Sequence, residues 1–564
     1  MTEALKLLRP YWLLTALGTA VGILSGVATA SLLATINASL HGKTQIGSVQ
    51  LAAFIGLCLL SVGGTAWGGA LNSAVGQRFI AALRKDIALR VLRTPIAEIE
   101  RQGPHRLMAI LTNDVDTVSA FTFNFSGYAI ALAVTLASFV YLLSLSPLVF
   151  AIALASLAFG IVVNFVGQRG WIRDYEQVRV AQDDLQNQYS AIINGAKELK
   201  ISRPRRQRVF AALLSEAADR IASLKTRAMR LFWTIDAIGS VGFFAAIGLL
   251  IVLQSRLGLD ASVISGAVIV LLYIKAPITQ LASALPAFDQ AKISLMKIAK
   301  LSADLGQSDL KVEIGEESGT SLDRPSAFHA IDLKDVAYDF SASGSGGSTF
   351  VLGPLDLSIR AGELLFIVGE NGSGKTTLIK LLLGLYIPTQ GRIFHDGEEV
   401  TTESRDDYRQ LFATVFSDYY LFEDLASPAL SEDPTPLLSR LGIAHKVGIE
   451  HGRFTTLALS TGQRKRLALV QAWLERRPLI VTDEWAADQD PEFRRVFYEE
   501  LLPKLRAEGR TLIIISHDDR YFHVADRVVR MDGGMIVADG NDHRLPTAHE
   551  KGEGSSPVVA GSSR

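Results

Sequence analysis

A glycine-rich stretch with one lysine is the clearest chemical feature of the sequence. The apolar run Leu364–Val368 leads into residues 369–377, GENGSGKTT, and a second apolar run, Leu378–Leu385, follows. A strand, a glycine-rich loop and a helix in this order bind phosphate, because glycines let backbone N–H groups turn inward and the helix N-terminus adds positive potential. The stretch predicts a nucleotide-phosphate site made by Gly369, Asn371, Gly372, Ser373, Gly374, Lys375, Thr376 and Thr377.

Two acidic residues after another apolar run fit the chemistry of that site. The run Leu479–Thr482 is typical of a buried strand, and Asp483 and Glu484 follow it. Lys375 can reach the β and γ phosphates, while the Thr376 hydroxyl and the Asp483 carboxylate can ligate Mg²⁺. Glu484 can polarise the attacking water. Acidic pairs are also common on protein surfaces, so this prediction depends on their combination with the glycine-rich loop.

The first half of the chain lacks charge over long distances. Of the 564 residues 49% are apolar and 20% are charged, yet residues 10–42, 44–77 and 117–168 contain no Asp, Glu, Lys or Arg. About 20 apolar residues cross the hydrocarbon core of a bilayer, so these blocks predict membrane helices. We count six spans, at about 11–36, 51–75, 120–143, 148–168, 232–254 and 261–285.

The basic residues give the orientation of these spans. Residues 78–106 carry seven Lys or Arg and residues 169–230 carry thirteen, whereas the opposite loops offer only Lys43 and Arg256. By the positive-inside rule the basic loops and both termini are cytoplasmic. The net charge of −1 gives no reason to expect nucleic acid as a partner. The single cysteine, Cys58, cannot form an intrachain disulfide.

A change of pattern after the sixth span predicts two domains. Residues 1–301 form an all-α membrane domain of six helices with cytoplasmic extensions, and residues 302–327 form a polar linker. Residues 328–545 alternate short strands and helices, which predicts an α/β nucleotide-binding domain of the P-loop NTPase class. Within it, residues 341–348 predict a surface loop, and the polar residues 546–564 predict a disordered tail.

The sequence LSTGQ at 459–463 resembles the signature motif of ATP-binding cassette (ABC) proteins, with Thr461 where the family usually has glycine. In that family the motif closes over the γ-phosphate of an ATP held by the P-loop of a second nucleotide-binding domain. Because this chain contains one P-loop and one signature motif, the resemblance implies a dimer, most simply of two identical chains. The residues to which the resemblance gives this role are Ser460, Thr461, Gly462 and Gln463.

Other family positions can be placed residue by residue. His517 matches the switch histidine that contacts the γ-phosphate, and Asp490 matches the aspartate of the D-loop. Phe340 falls at the aromatic position that stacks on adenine, with Tyr338 on the same strand face as the alternative. The resemblance thus implies that all four side chains belong to the nucleotide site.

Ser417 stands where the family usually has glutamine. A hydroxyl can still ligate Mg²⁺ directly or through water, although its reach is shorter. Because 43 positions separate Ser417 from Ser460, we also expect a short helical subdomain between them.

Four longer stretches resemble one branch of the family, the bacterial cyclic-peptide exporters, whose relatives include siderophore, lipopeptide-toxin and microcin exporters. They are VFSDYYLF at 415–422, LSTGQRKRLAL at 459–469, DEWAADQDPEFRRVFYEELLP at 483–503 and GAKELKIS at 195–202. The resemblance implies ATP and Mg²⁺ as cofactors and an inner-membrane homodimer with cytoplasmic ATPase domains. It also implies that the helix extensions of residues 78–119 and 169–230 transmit the nucleotide state to the membrane.

Two charges lie inside the predicted spans. Lys275 is well within the sixth span, and Asp236 is near the start of the fifth. Charges in a membrane usually face a cavity or a partner, so both are candidate substrate contacts. For Asp236 the alternative is that its side chain extends to the cytoplasmic interface.

The leading hypothesis is ATP-driven export of a peptide-like small molecule by alternating access. A lipid flippase or multidrug exporter of the same architecture is the alternative transporter. An ATPase that regulates a channel or sensor without moving a solute is the alternative from another class.

Overall fold

The computed structural model describes residues 10, 12–41, 47–257, 260–305, 328–340, 350–425 and 433–541. These residues fall into two compact units. The membrane unit is drawn from residues 1–85 and 109–300, and the α/β unit from residues 86–108 and 301–564. The predicted loop at 341–348, most of the predicted linker and the predicted tail lie outside the described residues.

Long apolar helices build the membrane unit. Six stretches in the described part of the chain are long and apolar enough to cross a membrane, which confirms the predicted number of spans: 12–41, 48–93, 107–145, 147–167, 203–254 and 261–304. The helices up to residue 304 are α1 Trp12–His41, α2 Ser48–Arg93, α3 Ile96–Gln102, α4 Pro104–Ala109, α5 Val115–Leu145, α6 Pro147–Asn194, α7 Ala196–Ile201, α8 Arg203–Gln207, α9 Ser215–Leu257 and α10 Ala261–Asp304, with π-helical turns at Ile110–Asp114 and Arg208–Leu214.

Several of these helices are longer than a bilayer requires. Helix α6 has 48 residues. At about 1.5 Å per residue it is about 72 Å long, more than twice the ~30 Å thickness of the hydrocarbon core. Only its first part, residues 147–167, is apolar enough to span. The charged remainder continues the same helix past this apolar stretch.

Glycines allow the helices of the membrane unit to approach closely. A Cβ atom on Gly26 of α1 would lie 2.8 Å from the Cβ of Ala133 and 3.1 Å from the carbonyl oxygen of Ile130, both on α5. On α2, a Cβ atom on Gly68 would lie 2.9 Å from the carbonyl oxygen of Gly18. Helix α1 is thus packed against two neighbours at distances that only small residues permit.

Twelve strands in the described part of the α/β unit form three sheets. A six-stranded sheet has the order β12-β11-β3-β10-β9-β6, a four-stranded antiparallel sheet has the order β2-β1-β4-β5, and β7 pairs with β8. The strands are β1 Ala330–Asp339, β2 Val351–Arg360, β3 Leu364–Gly369, β4 Gln390–His395, β5 Glu398–Glu399, β6 Phe412–Val415, β7 Ile449–Glu450, β8 Arg453–Phe454, β9 Leu479–Asp483, β10 Thr511–Ile515, β11 Arg527–Asp532 and β12 Met535–Gly540.

Short helices surround these sheets. They are α11 Lys375–Leu382, α12 Arg405–Arg409, α13 Thr435–Arg440, α14 Thr461–Leu474, α15 Pro491–Arg495 and α16 Leu502–Ala507, with a π-helical turn at Val496–Leu501 and 3₁₀ turns at Trp485–Asp488 and Asp519–Val524. The one described α-helix between Ser417 and Ser460 is α13, of six residues.

The central parallel strands bring the predicted chemical residues to one edge. Strands β9 and β10 are buried along their whole length, as apolar runs between two layers must be. Their register pairs Ile515 with Asp483 on one side and with Ile367 on the other. Because the carboxyl ends of parallel strands meet at the same edge, the loops after β3, β9 and β10 are neighbours.

Helix α3 belongs to the α/β unit. Ile96 and Ala97 pack against the apolar core of that unit, and the Glu100 carboxylate accepts hydrogen bonds from Lys380 Nζ at 2.7 Å and from the Tyr386 hydroxyl at 2.5 Å. Burial raises the pKa of Tyr386, which keeps its hydroxyl protonated as a donor. The predicted boundary placed these residues in the membrane domain, whereas the structure groups 86–108 with the α/β unit.

We expect Gly26→Ala to destabilise the protein and Gly63→Ala to leave its stability nearly unchanged. The alanine methyl at 26 meets α5, whereas a Cβ atom on Gly63 of α2 meets nothing within 4 Å. Overpacking of this kind costs about 1–3 kcal/mol. The measurement is the unfolding temperature of the detergent-solubilised protein. Equal shifts for the two variants would contradict the close packing of α1 against α5.

Candidate nucleotide site

The glycine-rich loop between β3 and α11 has a backbone that only glycine supports. Gly374, the N-cap of α11, has φ 97°, in the left-handed region. A Cβ atom on Gly369 would lie 2.3 Å from the carbonyl oxygen of Met531 and 2.8 Å from Ser373 Oγ. The loop therefore turns sharply around the N-terminus of α11, where backbone N–H groups are free of intrahelical partners.

Lys375 and Ser373 have the charge and the hydrogen-bonding capacity to bind an anion. Lys375 is 6% exposed, and its Nζ donates to the carbonyl oxygens of Gly369 at 2.8 Å and Glu370 at 2.9 Å. Burial lowers its pKa, and within the described residues its ammonium group forms no ion pair. The Ser373 hydroxyl is buried and has no hydrogen-bond partner among the residues that the structure describes. A buried cation beside an unsatisfied donor fits a phosphate group.

The three predicted Mg²⁺ ligands meet at one carboxylate oxygen. Asp483 Oδ2 accepts hydrogen bonds from Thr376 Oγ1 at 3.2 Å and from Ser417 Oγ at 3.4 Å. Asp483 is 2% exposed, and burial raises its pKa. One carboxylate and two hydroxyls are hard oxygen donors, which fit Mg²⁺. Ser417 thus takes part in this cluster despite its short side chain.

The predicted catalytic residues Glu484 and His517 are hydrogen-bonded to each other. Glu484 Oε1 and His517 Nε2 are 2.8 Å apart. Glu484 has φ 50°, a conformation that non-glycine residues rarely adopt, and its backbone N–H donates to the carbonyl oxygen of Ile515 at 3.2 Å. The bond to β10 holds this strained backbone, and the side chain faces the cavity of the site.

A cavity of about 400 Å³ opens at this edge of the sheet. It is lined by the glycine-rich loop together with aromatic and acidic side chains, namely Phe340, Phe350, Asn371, Gly372, Gly374, Lys375, Thr376, Thr377 and Glu484. Such an open polar cleft with an aromatic wall suits a nucleotide.

Phe340 and Tyr338 have different surroundings. Phe340 lines the cavity, whereas Tyr338 is 4% exposed and lies behind it. The ring of Tyr338 stacks on Tyr386 at 4.7 Å and meets Phe340 edge to face at 5.0 Å. Among the described residues that line the cavity, Phe340 is present and Tyr338, the alternative for the adenine position, is not. Tyr338 supports the cavity wall from the core.

Phe350 lines the cavity although the sequence did not single it out. Its position depends on the pairing of β1 with β2, in which Asp339 lies opposite Val351. This register brings the flanking residues Phe340 and Phe350 together, with ring centroids 6.2 Å apart. A hairpin pattern could have indicated the pairing, but no local motif marks Phe350.

The signature residues start helix α14. Ser460 Oγ accepts a hydrogen bond from the Gln463 backbone N–H at 3.4 Å, and Gln463 Oε1 accepts from the Ser460 backbone N–H at 3.2 Å. This reciprocal capping fixes the helix N-terminus. Ser460 and Thr461 are exposed. In the described chain none of the residues from Ser460 to Gln463 lines the cavity.

Asp490 is engaged within its own chain. Its Oδ1 caps helix α15 by accepting from the Phe493 backbone N–H at 3.1 Å, and its Oδ2 accepts from Arg466 Nη2 at 3.2 Å. The exposed Asp490 borders a buried polar cluster of Gln489, Arg466 and Lys465 that the sequence did not predict. The run of three polar residues at 488–490, shortly after Asp483 and Glu484, was the only sequence feature that could have indicated this cluster.

Lys275 and Asp236 are both half-buried in the membrane unit, on α10 and α9. Neither side chain has an ion-pair partner in the part of the chain that the structure describes. The structure therefore does not bring the two predicted substrate residues together as a pair.

Two known protein families match this chain, one in its membrane-spanning half and one in its nucleotide-binding half. Residues 11–270 match the family described as ABC transporter transmembrane region, and residues 352–487 match the family described as ABC transporter. The chain is 36% identical over 526 residues to ATP-binding protein SyrD of Pseudomonas syringae pv. syringae, covering 92% of this chain and 93% of that protein. The chain belongs to the ABC transporter family. It is an ABC exporter, and its ATP-binding domain is an ATPase coupled to transport.

Other similarities extend over less of the sequence or show the fold alone. The exporter is 29% identical over 284 residues to alpha-hemolysin translocation ATP-binding protein HlyB of Escherichia coli O157:H7, covering 48% of this chain and 38% of that protein. It is 27% identical over 353 residues to mycobactin import ATP-binding/permease protein IrtB of Mycolicibacterium thermoresistibile, covering 60% and 58%. The structure of a bacterial Atm1-family ABC exporter with ATP bound has a TM-score of 0.67 at 17% identity, covering 95% of each chain.

We expect Phe340→Ala to weaken ATP binding and Tyr338→Phe to leave it unchanged. Removing a ring that stacks on the base costs roughly 0.5–1.5 kcal/mol, or about a 2- to 12-fold higher Kd for ATP. Tyr338→Phe keeps the ring that supports Phe340 and removes only the hydroxyl. Fluorescence titration with a labelled ATP analogue measures both. Weaker binding only in the Tyr338 variant would show that Phe340 is not the base-stacking residue.

Proposed function

We propose that this ABC exporter is a homodimer in the bacterial inner membrane, with its ATPase domains in the cytoplasm, and that it exports a peptide-like small molecule such as a cyclic peptide, a lasso peptide or a siderophore. The position of the signature residues is the observation that supports a dimer. Ser460 to Gln463 lie outside the cavity that their own chain forms. A second chain is needed to bring them to the ATP.

The N-terminus of α14 is suited to that role. The helix has 14 residues, and its N-terminal end carries the exposed Ser460 and Thr461. A helix N-terminus attracts anions through its free N–H groups and its dipole. The γ-phosphate of an ATP bound in the partner's P-loop is such an anion. Two identical chains related by a two-fold axis would complete two equivalent sites.

The residues around Asp483 and Glu484 would carry out hydrolysis. Thr376, Asp483 and Ser417 would hold Mg²⁺, which offsets charge on the β and γ phosphates when bound. Glu484 orients the attacking water through its carboxylate, and His517 holds that carboxylate in place at 2.8 Å. As the Glu484 carboxylate accepts a proton from the water, a bond forms between the water oxygen and the γ-phosphorus, and the bond from that phosphorus to the β,γ-bridging oxygen breaks, giving ADP and phosphate.

The peptide-like cargo is supported by similarity along the whole chain. The match to SyrD covers more than nine tenths of both proteins, so the membrane domain that must bind the cargo is included. HlyB and IrtB bear names that refer to alpha-hemolysin translocation and mycobactin import. We infer a related class of cargo for this exporter.

A groove in the membrane unit favours a lipid flippase as the second candidate. It has a volume of about 510 Å³, lies between α1 and α5, and is lined mainly by apolar and small side chains that include Ile23, Val27, Leu136, Val140 and Tyr141. An acyl chain would fit such a surface. A transport assay must therefore include a lipid.

The decisive experiment uses purified protein in liposomes, with the ATPase domains facing outward. The probes are a labelled lasso peptide, a cyclic lipopeptide, a peptide siderophore and a fluorescent phosphatidylethanolamine. We expect ATP-dependent accumulation of at least one peptide-like probe inside the vesicles. Glu484→Gln should bind ATP but hydrolyse it at least 100-fold more slowly, because the water is no longer activated. It should accumulate no probe.

Two other outcomes would replace the proposal. Movement of the lipid alone would make the protein a flippase. ATP hydrolysis without movement of any probe would favour the regulatory ATPase. Rapid hydrolysis by Glu484→Gln would remove Glu484 from its proposed role.

Lys275 offers a test of cargo charge. A half-buried lysine without an ion-pair partner in the described chain is costly in a membrane unless it faces a cavity or a ligand. We expect Lys275→Ala to raise the KM for transport of a carboxylate-bearing peptide about tenfold, the order of one charge-assisted hydrogen bond. Lys275→Arg, which keeps the charge, should raise it less. An unchanged KM in Lys275→Ala would exclude this contact.

A further inference from the structure

One loop of the α/β unit joins two functional parts of the same chain. The loop of residues 484–490 begins with the catalytic Glu484 and ends with Asp490, and it packs against the first turns of helix α14. A Cβ atom on Gly462 of the signature motif would lie 3.4 Å from the carbonyl oxygen of Asp488. The signature turn thus rests directly on the loop that follows the catalytic carboxylate.

Gln489 makes the polar connection at this contact. Its side chain is 3% exposed. Its Nε2 donates to the carbonyl oxygen of Gly462 at 3.2 Å, and its Oε1 accepts from Arg466 Nε at 2.8 Å. Gly462 and Arg466 are four residues apart and therefore lie on one face of α14. The side-chain amide of Gln489 therefore forms hydrogen bonds with both Gly462 and Arg466.

The surrounding contacts fix Arg466 from other sides. Its Nη1 donates to the carbonyl oxygen of Leu441 at 3.1 Å, and its guanidinium lies over the ring of Phe493 at 3.4 Å. Its Nη2 donates to Asp490 at 3.2 Å. Arg466 is 8% exposed, and each of its three guanidinium nitrogens donates one hydrogen bond, with Asp490 as the ion-pair partner of this buried charge.

Lys465, the preceding residue of α14, holds the start of the same loop. Its Nζ lies 2.6 Å from Asp488 Oδ2 and donates to the carbonyl oxygen of Glu484 at 3.3 Å. The indole N–H of Trp485, which is 1% exposed, donates to the carbonyl oxygen of Lys465 at 2.7 Å. Buried polar networks with satisfied partners are rigid. The catalytic loop and the start of α14 therefore move together.

We propose that Gln489 is a positioning residue that sets the signature turn for the ATP bound by the partner chain. The inference rests on the proposed homodimer. In that dimer Glu484 acts on the ATP of its own chain, whereas Gly462 faces the ATP of the other. The amide of Gln489 connects the catalytic carboxylate to the signature turn, because the loop that carries Glu484 also carries the donor to the Gly462 carbonyl. Each ATP site is thereby linked to the other through buried side chains that include Gln489.

Two substitutions separate the two hydrogen bonds of Gln489. Gln489→Glu keeps an acceptor for Arg466 but places a carboxylate oxygen opposite the Gly462 carbonyl, where the donor was. Gln489→Met has a similar size and removes both bonds. Gln410→Glu is the matched control, because Gln410 also accepts from an arginine, Arg477 at 2.9 Å, and donates to a backbone carbonyl, that of Asp406 at 3.3 Å, but is exposed.

The variants are made in the Glu484→Gln background, which traps ATP in the closed dimer. The readout is the concentration of labelled ATP that gives half-maximal retention after gel filtration. The Kd for ADP, measured by calorimetry, reports the P-loop alone because ADP lacks the γ-phosphate that the signature turn contacts. The unfolding temperature is measured for each variant.

We expect Gln489→Glu and Gln489→Met to raise the half-maximal ATP concentration by roughly 2- to 12-fold, the factor that one net hydrogen bond supplies. The Kd for ADP should not change in Gln489→Glu, and Gln410→Glu should match its parent in both measurements. This split between ATP and ADP is the result that a merely structural role would not produce.

Three results would overturn the inference. Normal retention in Gln489→Glu with a defect only in Gln489→Met would show that Gln489 matters solely as the anchor of Arg466. Equal losses for ATP and ADP would indicate a structural role. If the parent Glu484→Gln protein retained no ATP, the homodimer itself would fail and the inference with it, a result that is recognised before any Gln489 variant is compared.

Discussion

Parallel pairing in the six-stranded sheet is the constraint on which the nucleotide site depends. Strands β3, β9 and β10 run side by side, with Asp483 in register with Ile515 and Ile515 in register with Ile367. Backbone hydrogen bonds fix this register over buried apolar strands, so each following loop starts at a fixed place. A one-residue shift of β9 would turn Asp483 to the other face of the sheet and break its contacts with Thr376 and Ser417.

A buried cation and a buried carboxylate, Lys375 and Asp483, lie close together at this edge of the sheet. Burial lowers the pKa of Lys375 and raises the pKa of Asp483, so each charge alone is disfavoured there. Their proximity partly offsets that cost, since each favours the charged form of the other. The phosphates of a nucleotide bring further negative charge to the side of Lys375. The buried lysine is therefore matched to a phosphate-bearing ligand.

The sequence allowed most of the local chemistry to be predicted and little of what depends on distant contacts. Lys375, Thr376, Asp483 and Glu484 stand next to strands whose apolar runs are readable, and the six spans follow from uncharged blocks. Phe350 was missed because its place depends on the pairing of β1 with β2. Gln489 was missed because its two partners lie on a helix that begins 28 positions earlier, at Thr461. Hydrogen bonds between segments that are distant in one sequence follow no periodic pattern.

Helix α3 has a consequence for the wall of the nucleotide cavity. Glu100 binds the hydroxyl of Tyr386, the ring of Tyr386 stacks on Tyr338, and Tyr338 supports Phe340 from behind. Position 386 therefore contacts helix α3 on one side and the aromatic wall of the cavity on the other. Any substitution there that suits one partner alters the other, so the residues at 100, 338, 340 and 386 are expected to change in evolution as a group.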